Sequence, residues 1–370
     1  MKKKNKILIA STRDWCTIEI AKFYKNINNN TSILLISGDR SWGDIKLNLF
    51  LTPFRLLYKF IYKPYYLSHL VKIENLVFDL LICILIFIYR PKMCILWSNM
   101  SHLSLLLCNK LKINSVLYIG EEYLKSSKNR GVIEISNYWI NNSYKEILAA
   151  DTIIVESSFV KNSIPINFHN KILIVTSPIN DLFRLNNVKR DNVNNIIKVG
   201  IISSSTRKNT KFVISILEIL STDHNFELHV FGDASFFTNT ILTQINFKII
   251  IHPYIKLFTQ NDLIKYIEEL SIIDIYLFPS LSDGGPRSLI EVSMLGISIV
   301  CSPNTIGPDL SKYCSNIKTI SLDINLWVLY LNSYIENFNR DLKIKNKINN
   351  SIITNKRIEA LNHIYSITFS

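Results

Sequence analysis

The sequence has no CxxC pair. Its six cysteines (Cys16, Cys83, Cys94, Cys108, Cys301 and Cys314) are scattered, most of them in apolar segments. They read as reduced core cysteines of a cytosolic protein, and no metal ligand set is expected. A long hydrophobic run is missing too. The most apolar stretch, 80–89, follows Asp79 and ends at Arg90-Pro91. A bilayer span needs about 20 residues, so a buried helix is expected here instead. No secretory signal is read at the amino terminus, because the apolar run 7–10 behind basic 1–6 is too short for a signal core. There is also no recognisable nucleic-acid motif.

Acid is scarce in one region. Residues 1–130 hold 20 Lys+Arg against 8 Asp+Glu, whereas the remainder holds 22 against 21. The formal charge of +13 is therefore almost wholly amino-terminal. Such asymmetry points to an anionic partner: a membrane surface, a lipid-linked phosphate or a nucleic acid. The missing motif argues against the last. What the chain does have is length and apolar content. Its 370 residues, 48% of them hydrophobic, suffice for two cores.

Short apolar runs alternate with helical patterns. The first set of expected strands is 6–10 (KILIA), 31–37 (TSILLIS), 92–98 (KMCILWS), 115–119 (SVLYI), 152–156 (TIIVE) and 172–176 (ILIVT). Fully apolar strands joined by helices imply parallel sheets covered on both faces. Residues 181–195 are polar and read as a linker. The alternation then restarts with 196–202, 226–231, 247–251, 274–278 and 297–301. The expected organisation is a domain over 1–180, a second over 196–320, and carboxyl-terminal helices over 321–370.

The most informative segment is 274–302, DIYLFPSLSDGGPRSLIEVSMLGISIVCS. It reads as a buried strand, a loop with Asp283, Gly284, Gly285 and Pro286, a helix over 288–295 closed by Gly296, and another strand. Ligands of open α/β sheets bind at the carboxyl ends of strands, where this loop lies. The glycines let a backbone approach a ligand, and amides at a helix start can bind phosphate. Glu291 sits inside the apolar helix and needs a partner. That partner is either the hydroxyls of a ribose diol or a Lys or Arg of the same domain.

Here the sequence resembles the glycosyltransferase family 4 (group 1) enzymes of the GT-B fold. The resemblance rests on Pro279-Ser280, Asp283-Gly284-Gly285-Pro286, Glu291 eight positions after the first acid, Gly296 and the strand that follows. It implies an α/β GT-B architecture: two Rossmann-like domains whose parallel sheets face each other across a cleft, acceptor-binding over 1–180 and nucleotide-sugar-binding over 196–320, with the helices of 321–370 packing back toward the cleft. By resemblance Asp283 holds donor-sugar hydroxyls and Glu291 the nucleotide ribose, with Gly284, Gly285, Arg287 and Ser288 beside them. Lys208, with Arg207, falls where the family binds the donor diphosphate. A fixed cation there stabilises the leaving group as its charge grows. Gly232, in LHVFGD, would let the nucleotide pass, and 251–255 falls where the base is held. His252 itself reads as a structural or surface histidine. Several positions depart from the pattern. The first acid is Asp rather than Glu. Ile201 replaces the Arg after Gly200, a place that Arg207 or Arg287 can fill. The loop 203–206 is longer than usual.

The first domain departs more. Ser11-Thr12-Arg13-Asp14-Trp15 replaces a Gly-rich loop, and Ser177-Pro178-Ile179 replaces Pro-Asn-Gly. Glu121 stands nearest the family's His and is the candidate base for the acceptor's proton, unless Glu121-Glu122 is a solvated loop pair. Residues 50–66 carry Arg55, Lys59 and Lys63 every four residues, with Phe50, Phe54, Leu57, Tyr58 and Ile61 on another face. This basic amphipathic segment suits either a membrane interface or packing on its own domain.

The resemblance implies a retaining hexosyltransferase that takes a UDP- or GDP-sugar without a metal or other cofactor. Its acceptor is expected to be a glycan or a lipid-linked glycan, its pathway surface-polysaccharide or lipid-linked glycan synthesis. It is expected in the cytoplasm or peripherally on the cytoplasmic face of the membrane, with 50–66 in contact. A sugar-nucleotide epimerase on the same fold and a non-catalytic nucleotide-binding relative stay open as rivals.

Overall fold

The computed structural model describes residues 5–11, 14–27, 31–37, 64–98, 101–120, 133–177, 182–185, 196–203, 206–232, 237, 245–252, 260–337 and 350–369. The chain divides into two units. Unit 1 holds Met1–Glu156, Val160–Pro178 and Lys356–Ser370, and unit 2 holds Ser157–Phe159 and Ile179–Asn355.

Unit 1 is built on β1 (Asn5–Ser11), β2 (Thr31–Ser37), β3 (Met93–Trp97), β4 (Asn114–Ile119), β5 (Thr152–Val155) and β6 (Ile172–Ile174). They form one six-stranded sheet in the order β2-β1-β3-β4-β5-β6. Every pairing is parallel. Ile7, Leu8, Ile9 and Ala10 are all buried, as are Met93 to Leu96. Burial of successive residues on both sides explains why these strands are continuous apolar runs rather than alternating ones. Helices α1 (Asp14–Ile27), α2 (Pro64–Tyr89), α3 (His102–Leu111), α4 (Ile133–Ala149) and the short α5 (Ser158–Ser163) connect them.

The apolar run 80–89 is helical, as expected, but it is not a buried helix. It forms the end of α2, whose inner face seats Phe78, Ile82 and Ile86. Asp79, also on that face, caps α3 by accepting from the amides of Leu103 (2.7 Å) and Ser104 (2.9 Å). The outer face leaves Leu76, Leu80, Ile84, Phe87 and Ile88 between 47% and 71% exposed. Periodicity reported the helix. The run, being apolar all round, could not report which side the fold would cover.

Unit 2 repeats the design. Its strands are β7 (Ile197–Ser203), β8 (Phe226–Gly232), β9 (Lys248–His252), β10 (Ile275–Phe278), β11 (Ser298–Cys301) and β12 (Ile317–Thr319). Their order is β12-β11-β10-β7-β8-β9, again all parallel. The helices are α6 (Leu182–Leu185), α7 (Thr210–Leu220), α8 (Gln260–Ser271), α9 (Arg287–Met294), α10 (Gly307–Leu310) and α11 (Ile324–Glu336). Strand β12 is short and half polar, so its apolar signal is weak. Gly200, in the middle of β7, is demanded by packing. A Cβ there would meet Ile273 Cγ2 at 2.9 Å and Tyr276 Cδ2 at 3.1 Å.

The carboxyl-terminal helices part company. Trp327 and Leu331 of α11 are buried in a unit 2 core with Val213 and Leu217 of α7. Helix α12 (Asn350–Phe369) joins unit 1 instead, burying Leu361 and Ile364 beside Ile7, Ile9 and Tyr24. Polar contacts fasten it there: Asn5 Nδ2 donates to Tyr365 Oη at 3.1 Å, and Asn114 Nδ2 to Thr368 Oγ1 at 2.5 Å.

Candidate functional site

Because all six strands of unit 2 are parallel, their carboxyl ends share one edge, the ligand edge of an open α/β sheet. Two segments meet on it. The first is a 3₁₀ turn, Thr206–Lys208, after β7, and the second is the loop between β10 and α9. The carbonyl of Arg207 accepts from the amide of Leu281 (2.9 Å) and from Ser280 Oγ (3.1 Å). The loop is tied on its other side as well, with Asp283 N donating to Asn304 O at 3.0 Å and Asn304 Nδ2 to Leu281 O at 3.0 Å. Backbone bonds thus hold residues that are about 75 positions apart in sequence. Asn209, the N-cap of α7, has φ 54°. Asn adopts this left-handed conformation more readily than other non-glycine residues, which accounts for its place directly after the lysine.

Lys208 and Asp283, both candidates from the sequence, come together. Lys208 Nζ donates to Asp283 Oδ2. Their side chains are 11% and 14% exposed. The ammonium also lies 4.4 Å from the centre of the Phe278 ring, a cation–π contact from the last residue of β10. A lysine and a carboxylate this sheltered are costly to leave alone. Each neutralises the other while both stay within reach of solvent.

Glu291 faces inward on α9 and is 3% exposed. Of its two candidate partners, the domain supplies one. Arg287 Nε, one turn back, lies 2.6 Å from Glu291 Oε1. Tyr266 Oη, on α8, donates to Oε2 at 3.4 Å. Burial pushes the Glu291 carboxyl above its ordinary range, and Arg287 and Tyr266 pull against that. Ser288 lies beside the buried Tyr276, whose phenol burial drives well above its ordinary range. No side chain caps α9, whose N-cap is Pro286. Among its first amides, that of Leu289 donates to Pro286 O at 3.1 Å.

The glycines separate by function. Gly232 ends β8 at φ 104°, a conformation that demands glycine, and Gly296 closes α9 at φ 71°. Gly284 and Gly285 have no left-handed φ, so conformational need does not explain them. Ile201 is 2% exposed and points into the core with Val199. Strand geometry therefore removes it from the site, while Arg207 and Arg287 sit on the edge loops. Glu121 and 50–63 lie outside the described residues.

Three features of unit 2 have no motif in the sequence. Tyr266 and Phe278 are two of them. His252 is structural, as read, but it belongs to a chain of four ionisable groups. Its Nε2 is 2.9 Å from His229 Nδ1, and its Nδ1 is 3.2 Å from Glu269 Oε2. His229 Nε2 in turn stands 3.6 Å from Glu227 Oε2, which also takes a bond from Lys248. Phe231 stacks on His252 with ring centres 4.3 Å apart. If His252 donates from Nδ1 to Glu269, its Nε2 accepts from His229, and His229 Nε2 then presents a lone pair to Glu227. Burial holds His229 down to about 4 and lowers His252 as well. The one visible signal was a histidine in the middle of an apolar strand, LHVFG.

Unit 1 has a different carboxyl edge. Trp97 and Tyr118 stack with ring centres 3.9 Å apart. Glu156, 1% exposed, accepts from Tyr118 Oη at 2.7 Å and from Ser177 Oγ at 2.8 Å.

No protein-family model matches the chain, and no curated protein resembles it in sequence. Solved structures resemble it in fold. A glycosyltransferase from Rickettsia africae ESF-5 matches with a TM-score of 0.61 at 17% identity, over 100% of this chain and 95% of that one. HepE from Anabaena, in complex with UDP and glucose, matches with a TM-score of 0.55 at 12% identity, over 98% and 97%. A UDP-N-acetylglucosamine 2-epimerase matches with a TM-score of 0.55 at 9% identity, over 99% and 95%. The likeness spans both units and establishes the fold as α/β GT-B with two Rossmann-like domains.

Proposed function

We propose that the protein is a retaining glycosyltransferase of the family 4 (group 1) type, moving a hexose from a UDP- or GDP-sugar to a hydroxyl acceptor. One observation carries this reading. Lys208–Asp283 and Arg287–Glu291 flank a Gly-Gly turn before an uncapped helix start, on the ligand edge of unit 2. The set offers cations and amides to a diphosphate, and carboxylates to hydroxyls. HepE, a fold neighbour, was solved with UDP and glucose, which agrees with such a ligand.

In the donor complex Lys208 exchanges Asp283 for the diphosphate, and Asp283 turns to hydroxyls of the sugar. Arg287 and the first amides of α9 add positive charge, and Glu291 takes the ribose. The C1–O bond breaks with its electron pair on the phosphate oxygen, whose growing charge Lys208 stabilises. The acceptor oxygen attacks C1 from the same face, which retains configuration, and Glu121 takes its proton. The charge is met by protein groups, so the reading needs no metal. A lipid-linked or surface-polysaccharide glycan fits the basic amino-terminal half, with 50–66 against the cytoplasmic face of a membrane.

The test is a donor screen. Purified protein is given UDP-, GDP- and CMP-sugars, and nucleotide release is followed beside Glu291→Ala. Release from one donor, lost in the variant, is expected. The epimerase neighbour gives the second reading a footing. An epimerase would convert free donor to its epimer with no acceptor and no transfer. Saturable nucleotide binding without turnover would mark a non-catalytic relative.

A further inference from the structure

Among the described residues nothing covers the outer face of α2. Leu76, Leu80, Ile84, Phe87 and Ile88 form a row one helical turn apart, about 18 Å long at the rise of an α-helix. Ile88 is 71% exposed. A water-facing helix normally carries charge there, yet 80–89 holds none. A contiguous apolar surface of this kind marks an interaction site.

Cations frame the end of the row. From 80 to 120 the sequence has Arg90, Lys92, Lys110 and Lys112 and no Asp or Glu. Arg90 lies with its guanidinium 4.6 Å from the Phe87 ring centre and donates to Phe87 O at 3.0 Å. Just beyond it a cavity of about 520 Å³ is lined by Arg90, Lys92, Lys112, Asn114, Ile367 and Thr368. Ile367 is itself 55% exposed and lines that cavity. The cavity sits at the amino ends of β3 and β4, the edge of the sheet away from strand-end ligands.

We propose that this face of unit 1 is a docking surface for an anionic membrane. The α2 row enters the boundary between headgroups and acyl chains, and the Arg90–Lys92–Lys112 cavity receives a lipid phosphate. A helix lying in the interface needs this pairing of apolar row and flanking cations. A second copy of the chain fits less well, because a two-fold contact would bring like cations together with no acid in the segment to meet them. No described helix is long and apolar enough to cross a membrane, so contact is with the surface. The inference extends the acceptor side of the proposed function to a new place, but its test uses no donor. Failure here leaves sugar transfer untouched, and failure of the donor screen leaves this intact.

The full chain is floated with vesicles of phosphatidylcholine, alone or mixed with phosphatidylglycerol. Binding is expected only to the anionic vesicles, and weaker at high salt. Leu80→Ser/Ile84→Ser/Ile88→Ser should lower it about tenfold or more. Arg90→Asn/Lys92→Gln/Lys112→Asn should lower it about fivefold per charge and remove the salt dependence. Asn is chosen because Arg90 and Lys112 have φ 52° and 55°. Hydrogen exchange of the unaltered chain, with and without vesicles, localises the contact without any variant. Protection at 76–90 and 110–114 supports the proposal. No vesicle binding, protection confined to 50–66, or full binding by the apolar variant would overturn it. So would a dimer that the apolar variant dissolves in the absence of vesicle binding.

Discussion

The two sheets have the same construction, yet their carboxyl edges carry opposite chemistry. In unit 1 the described edge is quiet. Glu156 is buried and bonded by two hydroxyls, behind stacked Trp97 and Tyr118. In unit 2 the edge holds two ion pairs, Lys208–Asp283 and Arg287–Glu291, each with one member on a loop or first helical turn. Similar backbones thus host a buried acid bonded to hydroxyls in one unit and acids paired with cations in the other.

The sharpest way to break this contrast is Lys208→Ala, expected to cut nucleotide release about 10³-fold by removing the cation on the leaving group. Loss below tenfold would make the pair structural, like Glu156. Next is Glu291→Gln. Donor affinity by calorimetry should fall about 30-fold, the cost of about 2 kcal/mol for lost charge-assisted hydrogen bonds. The melting temperature should fall near neutral pH, because the amide leaves the buried Arg287 Nε without its carboxylate. Burial raises the Glu291 carboxyl. With its folded value raised, Glu291 favours the fold below its unfolded value, and that contribution is lost as pH rises through the folded one.

Gly200→Ala should destabilise by about 1–3 kcal/mol in urea titration, since its Cβ would press on Ile273 and Tyr276. Tyr118→Phe should cost about 1 kcal/mol and leave donor affinity unchanged, because its hydroxyl donates to Glu156 in the other unit. The smallest effect concerns the His229–His252 chain. Both histidines are lowered, His229 to about 4, so the unfolded chain binds the extra protons. Stability should be full above about pH 6.5 and fall as pH drops toward 4, and His229→Gln should flatten that slope.

Strands and the loop motif were legible because each had a local cause. The continuous apolar strands of a covered parallel sheet and the Ser-Asp-Gly-Gly-Pro turn before a helix are written in adjacent residues. Strand ends came within a residue or two from 6–10 to 297–301. Short β12 escaped because it carries too little apolar signal. The outer face of α2 was misjudged because leucines and isoleucines look alike in sequence whether covered or bare.

By itself, the sequence determined the doubled parallel α/β plan, the turn with Asp283 and Glu291 one helix start apart, and the basic bias of the first 130 residues. These depend on periodicity, spacing and charge, which need no knowledge of what lies across the chain. Only the tertiary structure decided that Lys208 reaches Asp283, that Arg287 rather than a distant cation takes Glu291, and that His229 meets His252. It also decided that α11 and α12 go to different units. Apart from the Arg287–Glu291 pair, whose members stand one turn apart on α9, each is a matter of groups made neighbours by packing, and packing is a property of the whole fold rather than of any stretch of residues.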